Sequence, residues 1–172
     1  TSLVECTFLS SSEIADFRVR YFLSDREIPF AGHPTLAAAM SIISRGKHDK
    51  SKLVFETLAG LIRVEVSCSG DQVKISMTQP KPKFGFKIEK KVLSQIGGIP
   101  ENSILCKPQV VSTGLPFPIV LVDSLETLKK VTIDYRALDT FRATSSENDL
   151  MEPFWVCLSS PRENGITFSR LL

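Results

Sequence analysis

Alternation of apolar and polar residues predicts two β-strands near the start of the chain. In "LVECTFL" at residues 3–9, apolar side chains are mixed with polar neighbours, and in "DFRVRYFLS" at residues 16–24 they mostly recur at every second position. In the second segment, Phe17, Val19 and Tyr21 share one face, which is the period-two pattern of a half-buried strand. The polar segment "SSSEIAD" between the two strands is predicted to be a hairpin connection.

A helical pattern follows over residues 35–45, where apolar side chains cover nearly every face. Thr35 or Gly32 is suited to a position near the N-cap, and Pro34 suits the first turn, where its missing N–H leaves no helical hydrogen bond unmade. Gly46 follows the last turn and is predicted to end the helix. Because a helix that is apolar all round is normally buried, we expect this one to lie at the centre of a domain.

Three further strands are predicted in "KLVFETLAG", "LIRVEVSCSG" and "QVKISMTQP", whose turns carry the glycines that hairpins use. They indicate an antiparallel meander around the helix. A proline-rich segment then changes the composition, so we predict one domain over residues 1–85 and a second over residues 86–172. The second is predicted to contain a short helix ended by Gly97 and Gly98, two strands joined by a tight turn, one or two short helices and two last strands.

The composition is that of an ordinary globular protein. The chain has 172 residues, 42% of them hydrophobic and 23% charged, and its net charge of +2 argues against a nucleic-acid partner. No apolar stretch approaches the ~20 residues that span a bilayer, and the opening residues do not have the pattern of a signal peptide. The four cysteines form no C-x-x-C pair, so we expect no metal site and a cytoplasmic protein with reduced thiols.

One of the two histidines lies on a glycine–proline elbow directly before the helix, in "FAGHPT". A helix N-terminus offers N–H groups and partial positive charge, which suit an anionic ligand, and Gly32 lets a ligand approach the backbone closely. His33 is therefore a candidate for binding an anion or assisting a proton shift. From the residues alone, simpler interpretations stay open and are the commoner ones. His33 then only caps the helix or packs against its neighbours. Glu5, the acidic residue in "LVECTFL", is then a solvated strand residue.

Five segments occur along the chain in a specific order: "VECTFL", "RVRYFLSDREIPFAGHPTLAAA", "LVFETLAGLIRVEV", "ISMTQPKPKFG" and "VVSTGLPFPIVLV". This order resembles the phenazine-biosynthesis isomerase (PhzF-like) family, whose members share the fold of diaminopimelate epimerase. The resemblance extends along essentially the whole chain. It implies an α+β protein with two similar domains, each a curved and mostly antiparallel sheet around a central helix, and an active site between them.

The resemblance also implies roles for individual residues. Glu5 matches the glutamate that shuttles a proton in the family, and His33 matches the histidine of its Gly-His motif, so both are predicted to be catalytic. The predicted substrate-binding residues are Gly32, Pro34, Thr35, Thr113, Gly114 and Leu115. The epimerase branch of this fold, which uses two catalytic cysteines, matches this sequence less well than the isomerase branch. Cys6 follows Glu5 on a strand and is expected to point to the opposite face, into the interior.

The implied function is a cofactor-independent isomerase or epimerase that moves a proton on a small carboxylate-bearing metabolite, with one glutamate as acid and base. No cofactor and no membrane or nucleic-acid partner is expected, and a homodimer is the expected assembly. Two alternatives stay open. A non-catalytic family member, or a truncated form of one, would act instead as a ligand- or protein-binding module.

Two departures from the family pattern bear on this prediction. Val4 replaces a serine that often helps to hold substrate, and the sequence stops after "TFSRLL", before the family's acidic loop. The family's first strand and helix are also missing, so we interpret the chain as truncated at both ends. We therefore expect the chain alone to be inactive and poorly ordered in its second half. The apolar side chains expected to lack packing partners there are Phe154, Val156, Leu158 and Phe168.

Overall fold

A computed structural model describes most of the chain. The described residues are 5–46, 51–70, 72–146, 150–158 and 167–172. The chain divides into two compact units, Thr1–Lys81 and Pro82–Leu172. The division falls four residues before the boundary predicted at residue 85, because strand β7, Lys83–Lys87, pairs within the second sheet.

The first unit contains a six-stranded sheet. Its strands are β1 Cys6–Ser10, β2 Phe17–Phe22, β3 Glu27–Ile28, β4 Lys52–Thr57, β5 Gly60–Ser69 and β6 Gln72–Thr78. The order is β1-β2-β4-β5-β6, and β3 pairs with β2. The predicted meander of β4, β5 and β6 is antiparallel, as expected, but β2 and β4 run parallel. A parallel pair needs a long crossover connection, and the helix between these two strands provides it.

The helix of the first unit, α1, spans Gly32–Ser44 and begins three residues before the predicted start. Its N-cap is Ala31, whose side chain makes no capping hydrogen bond. Thr35, predicted near the cap, instead donates its hydroxyl to the Ala31 carbonyl at 2.6 Å, and its oxygen lies 2.6 Å from that of the buried Tyr21 hydroxyl. Gly46 ends the helix as predicted, since its N–H donates to the carbonyl of Ile43.

The sheet curves around one side of α1. Both end strands, β1 and β6, contact the helix, so the sheet bends far enough to bring its two edges to it. The side of α1 that faces the sheet is buried, including Thr35, Ala39 and Ile42. The prediction that α1 is buried on nearly all faces is wrong for the described residues, because Met40, on the other side, is 43% exposed.

The second unit contains a five-stranded sheet in the order β11-β10-β9-β8-β7, with β9 and β10 parallel. The remaining strands are β8 Gln109–Ser112, β9 Pro116–Val122, β10 Phe154–Cys157 and β11 Phe168–Arg170. The helices are α2 Lys90–Gly97, α3 Leu125–Lys130 and α4 Tyr135–Thr144, and a short 3-10 helix covers Glu101–Ser103. The three helices and strands β8 to β11 match the segments predicted from the sequence, whereas β7 lies in the proline-rich segment that was not predicted to be a strand, and the 3-10 helix was not predicted.

One core joins the helices and the sheet of the second unit. Leu93 of α2, Leu128 of α3 and Leu138 of α4 are buried together with Trp155 of β10. Three helices therefore pack together against this sheet, in agreement with the short helix and the one or two further short helices predicted from the sequence.

The expectation that four apolar side chains of this unit lack partners is largely wrong. The Phe154 ring lies edge-on to Phe117, Val156 is 9% exposed, and Phe168 packs against the core. Leu158 alone of the four is well exposed, at 58%. Phe117 of the same unit contacts Phe154, and the core of the same unit contacts Phe168.

Candidate active site

Strand register places Glu5 on the face of the first sheet that α1 covers. In the β1–β2 pair, Thr7 lies opposite Tyr21 and Leu9 lies opposite Val19. Tyr21 and Val19 are buried, and directly opposed residues of an antiparallel pair share a face. Glu5 precedes Thr7 by two positions and therefore lies on the same face as Thr7, towards the helix.

Cys6 lies on the other face of the sheet. It is opposite Phe22, which alternates with Tyr21 and belongs to the outer face together with Arg20. The expectation that Cys6 points to the interior when Glu5 points to the ligand is therefore wrong. The alternation itself holds, but the helix and the candidate site are on one and the same face, so Cys6 is directed away from both.

Glu5 and His33 meet at the N-terminus of α1. Glu5 Oε2 is 3.5 Å from His33 Nε2, and the two side chains are 16% and 84% exposed, respectively. The same Glu5 oxygen is buried and has no hydrogen-bond partner among the described residues. The two observations are compatible because 3.5 Å permits electrostatic attraction but is too long for a good hydrogen bond. The pair thus joins a sheltered carboxylate oxygen to a solvent-exposed imidazole.

The backbone of the first helical turn adjoins this pair. Ala31 is extended and provides no side-chain cap, so no side chain of the N-cap takes up the first N–H groups of α1. The helix dipole adds partial positive charge at this end, and an anionic group is favoured here. Gly32 is partly exposed, whereas Pro34 is buried and only shapes the turn.

Thr35 is a poor candidate for direct substrate binding. It is 0% exposed, and its hydroxyl is already used by Ala31 and Tyr21. Because Thr35 donates its proton to the carbonyl, the Tyr21 hydroxyl must be the donor of the second hydrogen bond. Burial raises the pKa of Tyr21. Thr35 therefore anchors the start of α1 to the sheet.

Two further residues of this site were not predicted from the sequence. A Cβ on Gly32 would lie 3.4 Å from Met77 Cε and 3.5 Å from Gln79 Nε2, so both side chains stand directly beside the first turn of α1. They belong to the end of β6 and to the residue just after it, and thus lie on one face of the sheet. The alternation in "ISMTQP" could have shown that Met77 and Gln79 share a face, but it could not have shown that these side chains lie close to Gly32.

The remaining predicted site residues lie in the second unit. Thr113, Gly114 and Leu115 form the turn between β8 and β9 and are all partly exposed. Gly114 has a φ of 151°, and its N–H donates to Ser112 Oγ at 3.1 Å. Their role in substrate binding stays a prediction. Val4, the departure from the family pattern, lies outside the described residues.

Metal-binding clusters and membrane spans are both absent from the described part of the chain. No three His, Cys, Asp or Glu side chains lie close enough there to hold a metal ion. No helix among the described residues is long and apolar enough to cross a membrane.

Comparison with known proteins identifies the family. The family model for phenazine biosynthesis-like proteins, PhzC-PhzF, matches residues 1–156. An uncharacterised isomerase of Clostridium acetobutylicum is 32% identical over an alignment of 161 residues that covers 84% of this chain and 53% of that protein. The trans-2,3-dihydro-3-hydroxyanthranilate isomerase of Pseudomonas chlororaphis is 32% identical over an alignment of 148 residues that covers 81% of this chain and 50% of that enzyme. The chain belongs to the phenazine biosynthesis-like family, and the resemblance seen in its sequence is confirmed.

Solved structures agree on the fold. The Bacillus anthracis phenazine biosynthesis protein of the PhzF family superposes with a TM-score of 0.75 at 26% identity, covering 97% of this chain and 56% of that one. A hydroxyproline epimerase from Agrobacterium vitis, at 12% identity and a TM-score of 0.63, shares the fold alone and is covered to 51%. The predicted α+β fold of the diaminopimelate epimerase type is thus confirmed. The chain spans about half the length of the relatives it matches.

Proposed function

We propose that this chain contributes the proton-transferring residues of an isomerase or epimerase that acts on a small carboxylate-bearing metabolite without a cofactor. Glu5 is the acid and base, and His33 assists at the same place. The observation that carries the proposal is the buried Glu5 Oε2, without a hydrogen-bond partner among the described residues and 3.5 Å from His33 Nε2. Relatives that bear the name isomerase support the reaction class.

An unpartnered carboxylate oxygen suits a base better than a structural residue. Leaving a buried polar atom without a hydrogen bond costs about 1–3 kcal/mol, and more for a charged group. A structural glutamate would satisfy that oxygen with an N–H or O–H donor of the protein. At Glu5 the cost is offset when the oxygen takes a proton or meets a donor of a bound ligand, which are the two things a catalytic carboxylate does.

One carboxylate is sufficient for the chemistry. Glu5 takes a proton from a carbon of a conjugated system, the double bond shifts as the electron pair moves along that system, and the protonated Glu5 returns the proton to a different carbon. The product has the same atoms as the substrate, and no electron is gained or lost. A proton carrier at one fixed position serves both steps if the ligand is held still between them.

The substrate carboxylate is held by the first turn of α1 in this proposal. Gly32 and His33 offer backbone N–H groups there, and the helix dipole favours negative charge. His33 is 84% exposed, so its imidazole is free to turn towards the carboxylate or towards Glu5. It contributes a hydrogen bond to the anion and links Glu5 to solvent protons.

Because the chain spans about half the length of its relatives and is expected to be inactive alone, the experiment uses the protein as the cell makes it and compares Glu5→Gln with that parent. The probe is trans-2,3-dihydro-3-hydroxyanthranilate, the compound in the name of the Pseudomonas relatives, and its conversion is followed by NMR. Loss of the proton carrier should lower kcat by about 100- to 10,000-fold, since the amide keeps the shape but accepts no proton. The matched control is Glu13→Gln, an exposed glutamate in the loop after β1, which should leave turnover unchanged.

Three outcomes would contradict the proposal. Undiminished turnover by Glu5→Gln would show that another group moves the proton. An equal loss in Glu13→Gln would show that the effect is not local to the site. A parent protein that binds the probe but never converts it would favour the binding-module alternative, provided that related carboxylates with a conjugated double bond are also left unchanged.

A further inference from the structure

We infer that Tyr21 and Thr35 are positioning residues of the candidate active site. Two buried hydrogen bonds, from Tyr21 to Thr35 and from Thr35 to the Ala31 carbonyl, form an anchor between the sheet and α1 and hold His33 next to Glu5. The inference rests on the proposed function for the roles of Glu5 and His33. It goes beyond that proposal by assigning an effect on catalysis to two side chains buried beneath the site.

The anchor links the sheet to the first turn of the helix. The Tyr21 hydroxyl donates to Thr35 Oγ1, 2.6 Å away, and Thr35 Oγ1 donates to the Ala31 carbonyl oxygen at 2.6 Å. All three residues are buried, so water does not compete for these bonds. In the described part of the chain, no other side chain of α1 is hydrogen-bonded to the sheet. Loss of the anchor therefore leaves this turn without a side-chain hydrogen bond to the sheet.

The anchor also lies between the two candidate catalytic residues. In β2, Tyr21 is directly opposite Thr7 of β1, which follows Glu5 by two positions. At the helix, Thr35 is bonded to the carbonyl of the N-cap, so this bond closes around the segment that contains His33. The same two hydrogen bonds thus fix the histidine relative to the strand that follows the glutamate.

Proton transfer makes the exact position of this turn important. Glu5 Oε2 and His33 Nε2 are 3.5 Å apart, and the histidine side chain is 84% exposed, so neighbouring side chains do little to fix it. A displacement of about 1 Å in a catalytic group can lower the rate by about 100-fold. Hydrogen bonds restrict direction as well as distance, and fully satisfied buried ones favour a single arrangement. We therefore expect the anchor to affect kcat and not only the stability of the fold.

The experiment separates positioning from stability by removing both partners of the first hydrogen bond in the protein as the cell makes it. Tyr21→Phe combined with Thr35→Val keeps the shape of both side chains. It leaves no buried polar atom of the anchor unpaired, since the Ala31 carbonyl still accepts from the N–H of residue 35. Such a paired apolar replacement can be nearly neutral for stability. The kcat on trans-2,3-dihydro-3-hydroxyanthranilate should nevertheless fall about 10- to 100-fold, with KM changed less than about threefold because the N–H groups of the first turn remain.

Two single variants serve as controls. Thr35→Ser restores a hydroxyl and should recover most of the kcat that Thr35→Val loses. Tyr135→Phe alters an exposed ring and should leave kcat unchanged.

Amide hydrogen exchange provides a readout that needs no turnover. In the double variant, exchange at residue 35 should become about tenfold faster after correction for the intrinsic rate, as expected for one lost hydrogen bond. Exchange at Ile42, near the other end of α1, should not change.

Three results would contradict the inference. They are a double variant with the kcat of the parent, a kcat that falls only in proportion to the loss of folded protein, and unchanged exchange at residue 35. The exchange result is decisive even where the probe is not converted. Where the double variant does not fold, Thr35→Val and Thr35→Ser provide the same comparison. An active Glu5→Gln protein, together with faster exchange in the double variant, would overturn the proposed function alone.

Discussion

Gly97 is the position at which the structure makes the sharpest prediction about stability. It is the last residue of α2 and is buried against the indole of Trp155, which is 0% exposed. A Cβ placed on Gly97 would lie 2.3 Å from Trp155 Cη2 and 2.7 Å from Cζ2. Carbon atoms in favourable contact are about 3.5–4.0 Å apart, so Gly97→Ala requires the helix end or the indole to move by more than about 1 Å.

The expected cost follows from this overlap. Overpacking of a filled core typically costs about 1–3 kcal/mol, and Trp155 lies among other fully buried side chains such as Leu93 and Ile96. Alanine has a better helix propensity than glycine by up to about 1 kcal/mol, but the gain is smaller at the last residue of a helix. We therefore expect Gly97→Ala to lower the free energy of unfolding by about 2 kcal/mol, or Tm by roughly 8–16 °C for a unit of this size.

The assay uses the intrinsic fluorescence of Trp155. Trp155 is the only tryptophan, so intrinsic fluorescence reports on the packed indole itself. Chemical denaturation of the parent, Gly97→Ala and the control Gln95→Ala is followed by fluorescence and by circular dichroism. Gln95 is exposed on the same helix, and its replacement should change the stability by less than about 0.5 kcal/mol.

The double variant isolates the contact. Trp155→Phe removes the fused ring that Gly97→Ala would strike, so the two substitutions should not be additive, and the alanine should cost less in the protein that already carries Trp155→Phe than in the parent. These double-variant measurements use circular dichroism, because the tryptophan is gone. Two results would refute the reasoning. One is a Gly97→Ala protein as stable as the parent with an unshifted emission maximum, and the other is strict additivity in the double variant.

The other predictions concern hydrogen bonds that hold elements in place. Tyr21→Phe should cost about 1 kcal/mol, because it removes the donor to the buried Thr35 oxygen, whereas Tyr135→Phe, at an exposed ring, should cost nothing; equal effects in thermal melts would contradict this. Burial raises the pKa of Tyr21 in the folded protein, so as pH rises the tyrosine loses its proton in the unfolded chain before it does so in the folded one. The stabilisation that comes from this difference is complete below about pH 10 and decreases at higher pH. Tyr21→Phe should therefore make the loss of stability at alkaline pH less steep. Asp134→Ala removes the side chain that accepts from the first N–H groups of α4 and should cost about 1 kcal/mol, measured by urea denaturation. Arg170→Ala should destabilise the end of α3, because its guanidinium donates to three carbonyls there, and faster amide exchange confined to that helix end is the expected sign.

Periodicity predicted most of the strands and helices, and its failures have local causes. The start of α1 was predicted three residues too late, because its N-cap is Ala31 and alanine is not one of the residue types that typically cap a helix N-terminus. The elbow of Gly32, His33 and Pro34 therefore looked like a preceding turn, although it is the first helical turn. The apolar composition of α1 overstated its burial, since small residues such as Ala37 are compatible with an exposed face.

The double glycine shows what a sequence pattern leaves undetermined. Gly97 and Gly98 were predicted to end a helix, and Gly98 does so with a φ of 62°, in the left-handed region that glycine tolerates best. Gly97 is needed for another reason, the indole that packs on it. Trp155 is far away in the sequence, and only the packing of the unit brings the two together.

The candidate site was likewise predictable only in part. The pairing of Glu5 with His33 followed from the family resemblance, and the 3.5 Å between them agrees with it. Met77 and Gln79 could not be placed near Gly32 from alternation alone, because their closeness depends on how strongly the sheet bends around α1. The direction of Cys6 was predicted wrongly for a related reason: alternation fixes which neighbours oppose each other, but not which face carries the helix.

The most direct test of Glu5 as the proton carrier is solvent deuterium incorporation. The protein is incubated in D2O with trans-2,3-dihydro-3-hydroxyanthranilate, and deuterium bound to carbon is measured by NMR and mass spectrometry. Protonated Glu5 lies beside the exposed His33 and should exchange with solvent, so the product of the parent protein should carry deuterium. Glu5→Gln should incorporate none. Incorporation by Glu5→Gln at the rate of the parent would contradict the assignment of Glu5.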